Sequence, residues 1–99
     1  MDLAQLHHFA PQIIQIANQH GIRQVYVSGS VARGESTGQS DVDLMVEMQE
    51  GASLFGVAGF GYEVEKVLNV HVDVIPRNIL SSISDKDFVE SIQKDAIAL

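Results

Sequence analysis

The chain has 99 residues, 45% of them hydrophobic, which suffices for one globular domain with a modest core and excludes a disordered chain. It has no cysteine, which excludes disulfides and thiolate catalysis, and it shows neither an apolar run near the ~20 residues of a membrane span nor a signal-peptide pattern, so we expect a cytoplasmic protein. The formal net charge of −7, with six scattered Lys and Arg residues, argues against a template-bound polymerase and leaves open small nucleotides brought with metal, or a basic protein partner.

The first part of the chain has apolar residues at helical spacing, which predicts a helix over residues 2–20. Asp2 is suited to cap its N-terminus, and Gly21 is suited to follow its C-terminus. Pro11 either kinks this helix or splits it, so that a second helix begins there.

Two predicted strands flank the stretch that carries the candidate chemistry. The first covers Ile22–Ser28 and ends at Gly29-Ser30, a turn that opens a short helix over residues 30–35. A polar loop follows, and Asp41–Met48 is predicted as the second strand.

Asp41 and Asp43 form a carboxylate pair at the start of the second strand, on one face because residues two apart in a strand point the same way. Two neighbouring carboxylates repel each other, and a cation between them relieves that cost. Upstream, Gly29 lets a ligand approach the backbone closely, and the free N–H groups at the helix start after Ser30 attract phosphate. Mg²⁺ prefers carboxylates together with substrate phosphates, so the pattern predicts phosphoryl or nucleotidyl transfer.

Two further residues of this stretch could each have either a nucleotide-binding or a structural role. Arg33 either pairs with a triphosphate and its transition-state charge, or forms an ion pair with Glu35, Asp41 or another carboxylate that fixes the loop. Ser40 either hydrogen-bonds the nucleotide or simply ends the loop.

Residues 53–68 are predicted to form a helix with Ser53 as its N-cap. Its three glycines, Gly56, Gly59 and Gly61, weaken the helix and indicate either a frayed start or a place where another backbone packs closely.

Val70–Ile75 is the third predicted strand, with His71 and Asp73 on the face opposite its valines. This repeats the pattern of the second strand, so Asp73 is expected to emerge on the same face of the sheet as Asp41 and Asp43. His71 either contacts the nucleotide or is a bystander.

The C-terminal part is predicted to be helical. Pro76 ends the third strand, because proline cannot continue a central ladder, and a connection follows. A helix then starts around Ser84–Asp87, and an apolar ridge of Phe88, Ile92, Ala96 and Leu99 either closes the core or offers an apolar face to a partner.

The spacing Gly29-Ser30, ten residues, Asp41-x-Asp43 resembles the signature of the polymerase-β-like nucleotidyltransferases. The fuller string Gly-Ser-x-Ala-Arg-Gly-Glu at 29–35, followed by Ser40-Asp41-x-Asp43-Leu44, resembles the minimal nucleotidyltransferase (MNT) subfamily. Short members of that subfamily often act as antitoxins beside HEPN-domain toxins. The resemblance implies one domain over residues 1–99, with an α/β (α+β) palm-like fold: a small mixed sheet of about three to four strands with helices packed on one face.

The resemblance also implies roles for the site residues. Asp41, Asp43 and Asp73 would be the catalytic and metal-binding carboxylates, which hold two Mg²⁺ or Mn²⁺ ions. Gly29 and Ser30 would hold the phosphates of ATP, with the two residues left open above, Arg33 and Ser40, as further nucleotide-binding candidates.

For function, the resemblance implies an enzyme that transfers AMP from ATP to a hydroxyl, a tyrosine for instance, of a HEPN-family RNase toxin and so silences it. The acceptor is expected on another protein, because the domain is too short for the acceptor-binding module of larger relatives. Two alternatives remain: an antitoxin that neutralises its partner by binding alone, and a nucleotidyltransferase for a small molecule.

Overall fold

The computed structural model describes residues 1–36 and 41–99. Its elements in chain order are α1 (Leu3–His8), α2 (Ala10–Gln19), β1 (Ile22–Ser28), α3 (Gly29–Arg33), β2 (Val42–Met48), α4 (Phe55–Leu68), β3 (Val72–Pro76), a 3₁₀ helix (Arg77–Ser82), α5 (Lys86–Asp95) and β4 (Ile97–Ala98). No helix within the described residues is both long and apolar enough to cross a membrane.

The strands form one mixed sheet in the order β3-β2-β1-β4. Strand β1 pairs antiparallel with β2 and with β4, whereas β2 and β3 are parallel. A parallel pair needs a long crossover connection, and α4 supplies it between β2 and β3. The mixed sheet with four strands confirms the predicted fold.

One face of the sheet carries the main hydrophobic core. The alternate residues Val42, Leu44 and Val46 of β2 point into it and are fully buried. Helices α1 and α2 contribute Leu6, Ile13 and Ala17 to this core, and α4 packs beside them. The members from α3, α4 and the other strands are Val31, Phe60, Val64, Leu68, Ile22, Val25, Val27 and Val72. This face is where burial of apolar area stabilises the domain.

The opposite face carries a second, smaller apolar cluster around Met45, Leu80 and Ile92. Leu80 comes from the 3₁₀ helix and Ile92 from α5, so these two helices lie on the face opposite α1, α2 and α4. We expected all helices on one face; instead α5 closes a core of its own on the face that bears Asp43.

The first predicted helix is split in two. Phe9 is the C-cap of α1 and the N-cap of α2, and Pro11 lies in the first turn of α2, where its missing N–H costs nothing. The predicted cap is present, because Asp2 accepts the N–H of Gln5 at 2.8 Å. Gly21 follows the end of α2 with φ of +75°.

The glycines of α4 make room for neighbouring groups. A Cβ on Gly56 would collide with the carbonyl oxygen of His20, and one on Gly59 would lie 2.7 Å from its ring. The second of the two interpretations, close packing of another backbone, is therefore correct at Gly56, whereas Gly59 accommodates a side chain. The helix begins at Phe55, two residues later than predicted, and its N-cap is Leu54, so the prediction of Ser53 as the N-cap is wrong. Ser53 Oγ instead accepts the N–H of Phe55 at 3.1 Å.

The end of the chain differs from the prediction. Helix α5 is capped by Asp85 and stops at Asp95, so the ridge does not continue to Leu99. Ala96 has extended backbone angles, and the following residues pair with β1 as β4. The N–H of Leu99 donates to the carbonyl of Val25 at 2.9 Å. Pairing with residues 97–99 satisfies backbone groups at the edge of β1, and we infer that these hydrogen bonds stabilise the chain more than a further turn of α5 would.

Candidate active site

Gly29 lies at the point where β1 ends and α3 begins, directly against Asp43. Its φ is +69°, a conformation that costs other residues energy. A Cβ at this position would collide with Oδ2 of Asp43 and lie 3.1 Å from its Cγ. Glycine is thus required twice here, for the turn and for the space beside the carboxylate.

The pairing of three strands brings Asp43 and Asp73 together. In the parallel pair of β2 and β3 these two residues are direct partners, while Ser28 of β1 is the partner of Asp43 on the other side. Partners on neighbouring strands point to the same face, so Asp73 lies on the face of Asp43, as predicted. Burial raises the pKa of Asp43 above its ordinary value, and the charges of Asp73 and Asp41 raise it further.

Asp41, His71 and Asp73 form an exposed group on the same side of the sheet. One ligand atom of each lies within 4.8 Å of the ligand atoms of the other two. Asp73 belongs to this group and is also the strand partner of Asp43. Carboxylate oxygens are the donors that Mg²⁺ and Mn²⁺ prefer, so Asp41 and Asp73, with His71 beside them, could hold a divalent cation. Asp43 adjoins this group through its strand partner Asp73.

A cleft of about 310 Å³ opens beside Asp43 between α3 and α5. Its polar end is formed by the β1–α3 turn and its apolar end by β3 and α5; the residues are Ser28, Gly29, Ser30, Arg33, Asp43, Ile75, Phe88, Ser91 and Ile92. Gly29, Ser30, Arg33 and Asp43 thus line one cavity. Sequence reasoning missed the wall from α5, because its apolar ridge looks the same whether it faces a core or a ligand.

Arg33 forms ion pairs with carboxylates, as one of the two interpretations of this residue predicted. Its Nε lies 2.9 Å from Glu35 and a terminal nitrogen lies 3.1 Å from Asp95 of α5. The guanidinium also lines the cleft, so its contact with a nucleotide stays a prediction. Ser40 lies outside the described residues, and its predicted role stays a prediction as well.

His71 contacts two carboxylates, one of which sequence reasoning did not single out. Its Nε2 lies 2.9 Å from Asp73 and its Nδ1 lies 3.0 Å from Glu65 of α4. Hydrogen bonding to Asp73 and the surrounding negative charges raise the pKa of His71. No sequence signal identifies Glu65, because only the packing of α4 against β3 brings it there.

A glycine turn at a helix start, opposite carboxylates on adjacent strands of a mixed sheet, defines a site for transferring phosphate-linked groups. The model of the nucleotidyltransferase domain family matches residues 10–99, so the chain belongs to that family.

The most informative relatives are archaeal. The chain is 42% identical over 67 residues to MJ0435 of Methanocaldococcus jannaschii, provisionally named a protein adenylyltransferase, with 68% of this chain and 72% of that protein covered. It is 32% identical over 68 residues to the protein adenylyltransferase MntA of Thermococcus cleftensis, with 69% of each chain covered.

Solved structures share the fold. One described provisionally as a minimal nucleotidyltransferase has a TM-score of 0.80 and 33% identity, and the match covers 100% of this chain and 97% of that chain. Another, an MNT antitoxin with the tri-AMPylated HEPN toxin of Shewanella oneidensis, has a TM-score of 0.59, 16% identity, and coverage of 89% and 66%. The second likeness shows the fold alone; together with the first it confirms the resemblance to minimal nucleotidyltransferases.

Proposed function

We propose that this chain is an antitoxin that transfers AMP from ATP to a hydroxyl, with a tyrosine as the leading candidate, of a HEPN-family RNase toxin. The observation that carries the proposal is the register of β2 and β3, which pairs Asp43 with Asp73 beside Gly29. The names of the relatives, protein adenylyltransferases, support AMP as the transferred group. The fold shared with an MNT antitoxin bound to an AMPylated HEPN toxin supports the partner.

Asp41, Asp43 and Asp73 would hold two divalent cations, Mg²⁺ or Mn²⁺. When bound, such ions neutralise the repelling carboxylates and polarise the phosphate oxygens. The backbone N–H groups at Gly29 and Ser30 would bind the β- and γ-phosphates and orient the α-phosphorus. The apolar wall of the cleft, with Ile75 and Phe88, suits the nucleoside.

In the reaction, the acceptor oxygen forms a bond to the α-phosphorus of ATP. The bond from that phosphorus to the oxygen bridging to the β-phosphate breaks, and pyrophosphate leaves with the electron pair. Asp73, the outermost of the paired carboxylates, would accept the proton of the acceptor hydroxyl.

The charge of the chain supports a basic partner. Its net charge is −7, whereas an RNase needs cationic groups to hold the phosphates of RNA. We propose the cytoplasm, where ATP is available, as the site of the reaction.

The test is incubation of the pure protein with the product of the adjacent gene, Mg²⁺ and each NTP in turn, followed by intact-mass measurement. We expect the partner to gain one or more AMP units with ATP, and the gain to disappear with Asp43→Asn. No gain, or a gain that survives this substitution, contradicts the proposal. Neutralisation that persists in the Asp41→Ala/Asp43→Ala double variant would point to binding alone.

A further inference from the structure

A short chain of polar contacts runs from α4 across the end of β3 to Asp73. Oε1 of Glu65 accepts the backbone N–H of Val72 at 3.0 Å and lies 3.0 Å from Nδ1 of His71. The other ring nitrogen of His71 lies 2.9 Å from Oδ1 of Asp73. The ring therefore bridges a carboxylate of the helix and a carboxylate of the site.

Glu65 is the fixed end of this chain. Strand β3 lies at the edge of the sheet, and the N–H of Val72 bonds to Glu65 instead of to a neighbouring strand. Since the same oxygen also meets His71, the ring orientation is tied to the backbone of β3 and to α4. A side chain held at both ends loses the freedom that an exposed histidine otherwise has.

Asp73 is the carboxylate that most needs such support. Its side chain is 50% exposed, whereas Asp43 is enclosed by Gly29 and the neighbouring strands. An exposed carboxylate samples several rotamers, and only some of them point toward Asp41 and Asp43. Partners behind a ligand that fix its orientation raise its affinity for a metal.

We propose that His71 and Glu65 are positioning residues that hold the Asp73 carboxylate toward Asp41 and Asp43, ready for cations. This inference rests on the proposed function only in taking Asp73 as a metal-binding carboxylate. His71 acts by donating a hydrogen bond to Asp73; it does not itself bind the cation.

The proximity of Asp41, His71 and Asp73 allows a competing assignment, in which His71 is a metal ligand. Two substitutions distinguish the assignments, because each assignment predicts the opposite effect on Mn²⁺ binding. His71→Arg keeps a cationic donor for Asp73 but cannot bind a metal. His71→Asp supplies a metal-binding oxygen but no donor.

The first experiment measures Mn²⁺ binding to the nucleotide-free protein by electron paramagnetic resonance. We expect about 10-fold weaker binding in His71→Ala, a smaller loss in Glu65→Gln, and near wild-type binding in His71→Arg. Wild-type or tighter binding in His71→Asp, together with a loss in His71→Arg, would overturn the proposal. Glu63→Gln is the matched control: Glu63 lies on the same helix as Glu65 but contacts His20, away from Asp73, so this substitution should leave Mn²⁺ binding unchanged.

Crystal structures of His71→Ala and Glu65→Gln provide the second measurement. We expect Asp73 to leave its wild-type rotamer in both, and an unchanged Asp73 contradicts the positioning role even if the protein binds no metal. A wild type that binds no Mn²⁺ counts against the proposed function, so the two failures are distinguishable. In the transfer assay, we expect His71→Ala to lower kcat about 10-fold and to leave the KM for ATP unchanged, because the phosphates are held at Gly29 and Ser30.

Discussion

The two faces of the sheet are made by the same strands, yet one carries the main hydrophobic core and the other carries the candidate active site beside a smaller apolar cluster. In β2, Leu44 and Val46 are fully buried in the main core, whereas the pKa of Asp43 is raised by burial and then by the charges of Asp73 and Asp41. The period of two in a strand makes this division possible, because each residue faces opposite to its neighbour. We infer that the carboxylates lower the stability of the fold and that the apolar face offsets this cost.

The sharpest way to separate the faces is Asp43→Asn, for which we expect a loss of AMP transfer of about 10³-fold. In metal-free buffer at neutral pH, the same variant should melt above the wild type by roughly a few degrees, because it removes a half-buried charge from beside Asp41 and Asp73. Transfer assays and thermal unfolding in EDTA measure the two effects.

The pH dependence of that stability difference follows from the raised pKa of Asp43. The folded protein binds this proton more tightly than the unfolded chain does. The wild type therefore gains stability relative to Asp43→Asn as the pH falls through the raised pKa, and the difference between them shrinks. A variant that is less stable than the wild type at neutral pH in EDTA would show that the carboxylate supports the fold.

The apolar face is tested by Leu44→Ala, a substitution next to Asp43 in the chain but on the opposite side. We expect it to cost about 3 kcal/mol, more than 10²-fold in the unfolding equilibrium, because Leu44 is fully buried. Chemical denaturation measures the loss, and transfer at low temperature should survive. The control Glu47→Gln on the site face disturbs only surface ion pairs with Arg23 and Arg77, and should cost less than about 1 kcal/mol.

A pair of glycines isolates the contact between the turn and the carboxylate. Gly29 and Gly34 both have positive φ, +69° and +73°, but only at Gly29 would a Cβ meet Asp43. Each alanine variant should lose about 1–2 kcal/mol from the backbone conformation. We expect Gly29→Ala to lower transfer about 30-fold as well, by displacing Asp43. Equal transfer rates in the two variants would contradict a role for this contact.

The smallest expected effect concerns the wall of the cleft. Phe88 lines the cleft, whereas Phe55 at the start of α4 is 90% exposed and does not line it. If the base stacks on Phe88, Phe88→Ala should raise the KM for ATP about 5-fold. Phe55→Ala should leave that KM unchanged, and an equal change in both variants would remove Phe88 from the nucleotide site.

The local features of the chain could be predicted because their causes are local. The cap at Asp2 and the bounds of β1 follow from neighbouring residues, and both are observed. The end of α5 could not be predicted, because the spacing of Ile92, Ala96 and Leu99 suits a helix. The partner that draws residues 97–98 into a strand lies about 70 positions earlier, at Tyr26 and Val27.

By itself, the sequence determined the alternation that places Asp41 with Asp43 and His71 with Asp73, and the glycine turn that faces them. The period of a strand and the freedom of glycine are properties of single segments. Only the tertiary structure decided that β3 lies parallel to β2 with Asp73 opposite Asp43, that α5 forms a wall of the cleft, and that Glu65 reaches His71. These contacts join segments distant in the chain, and the packing of the whole domain selects them.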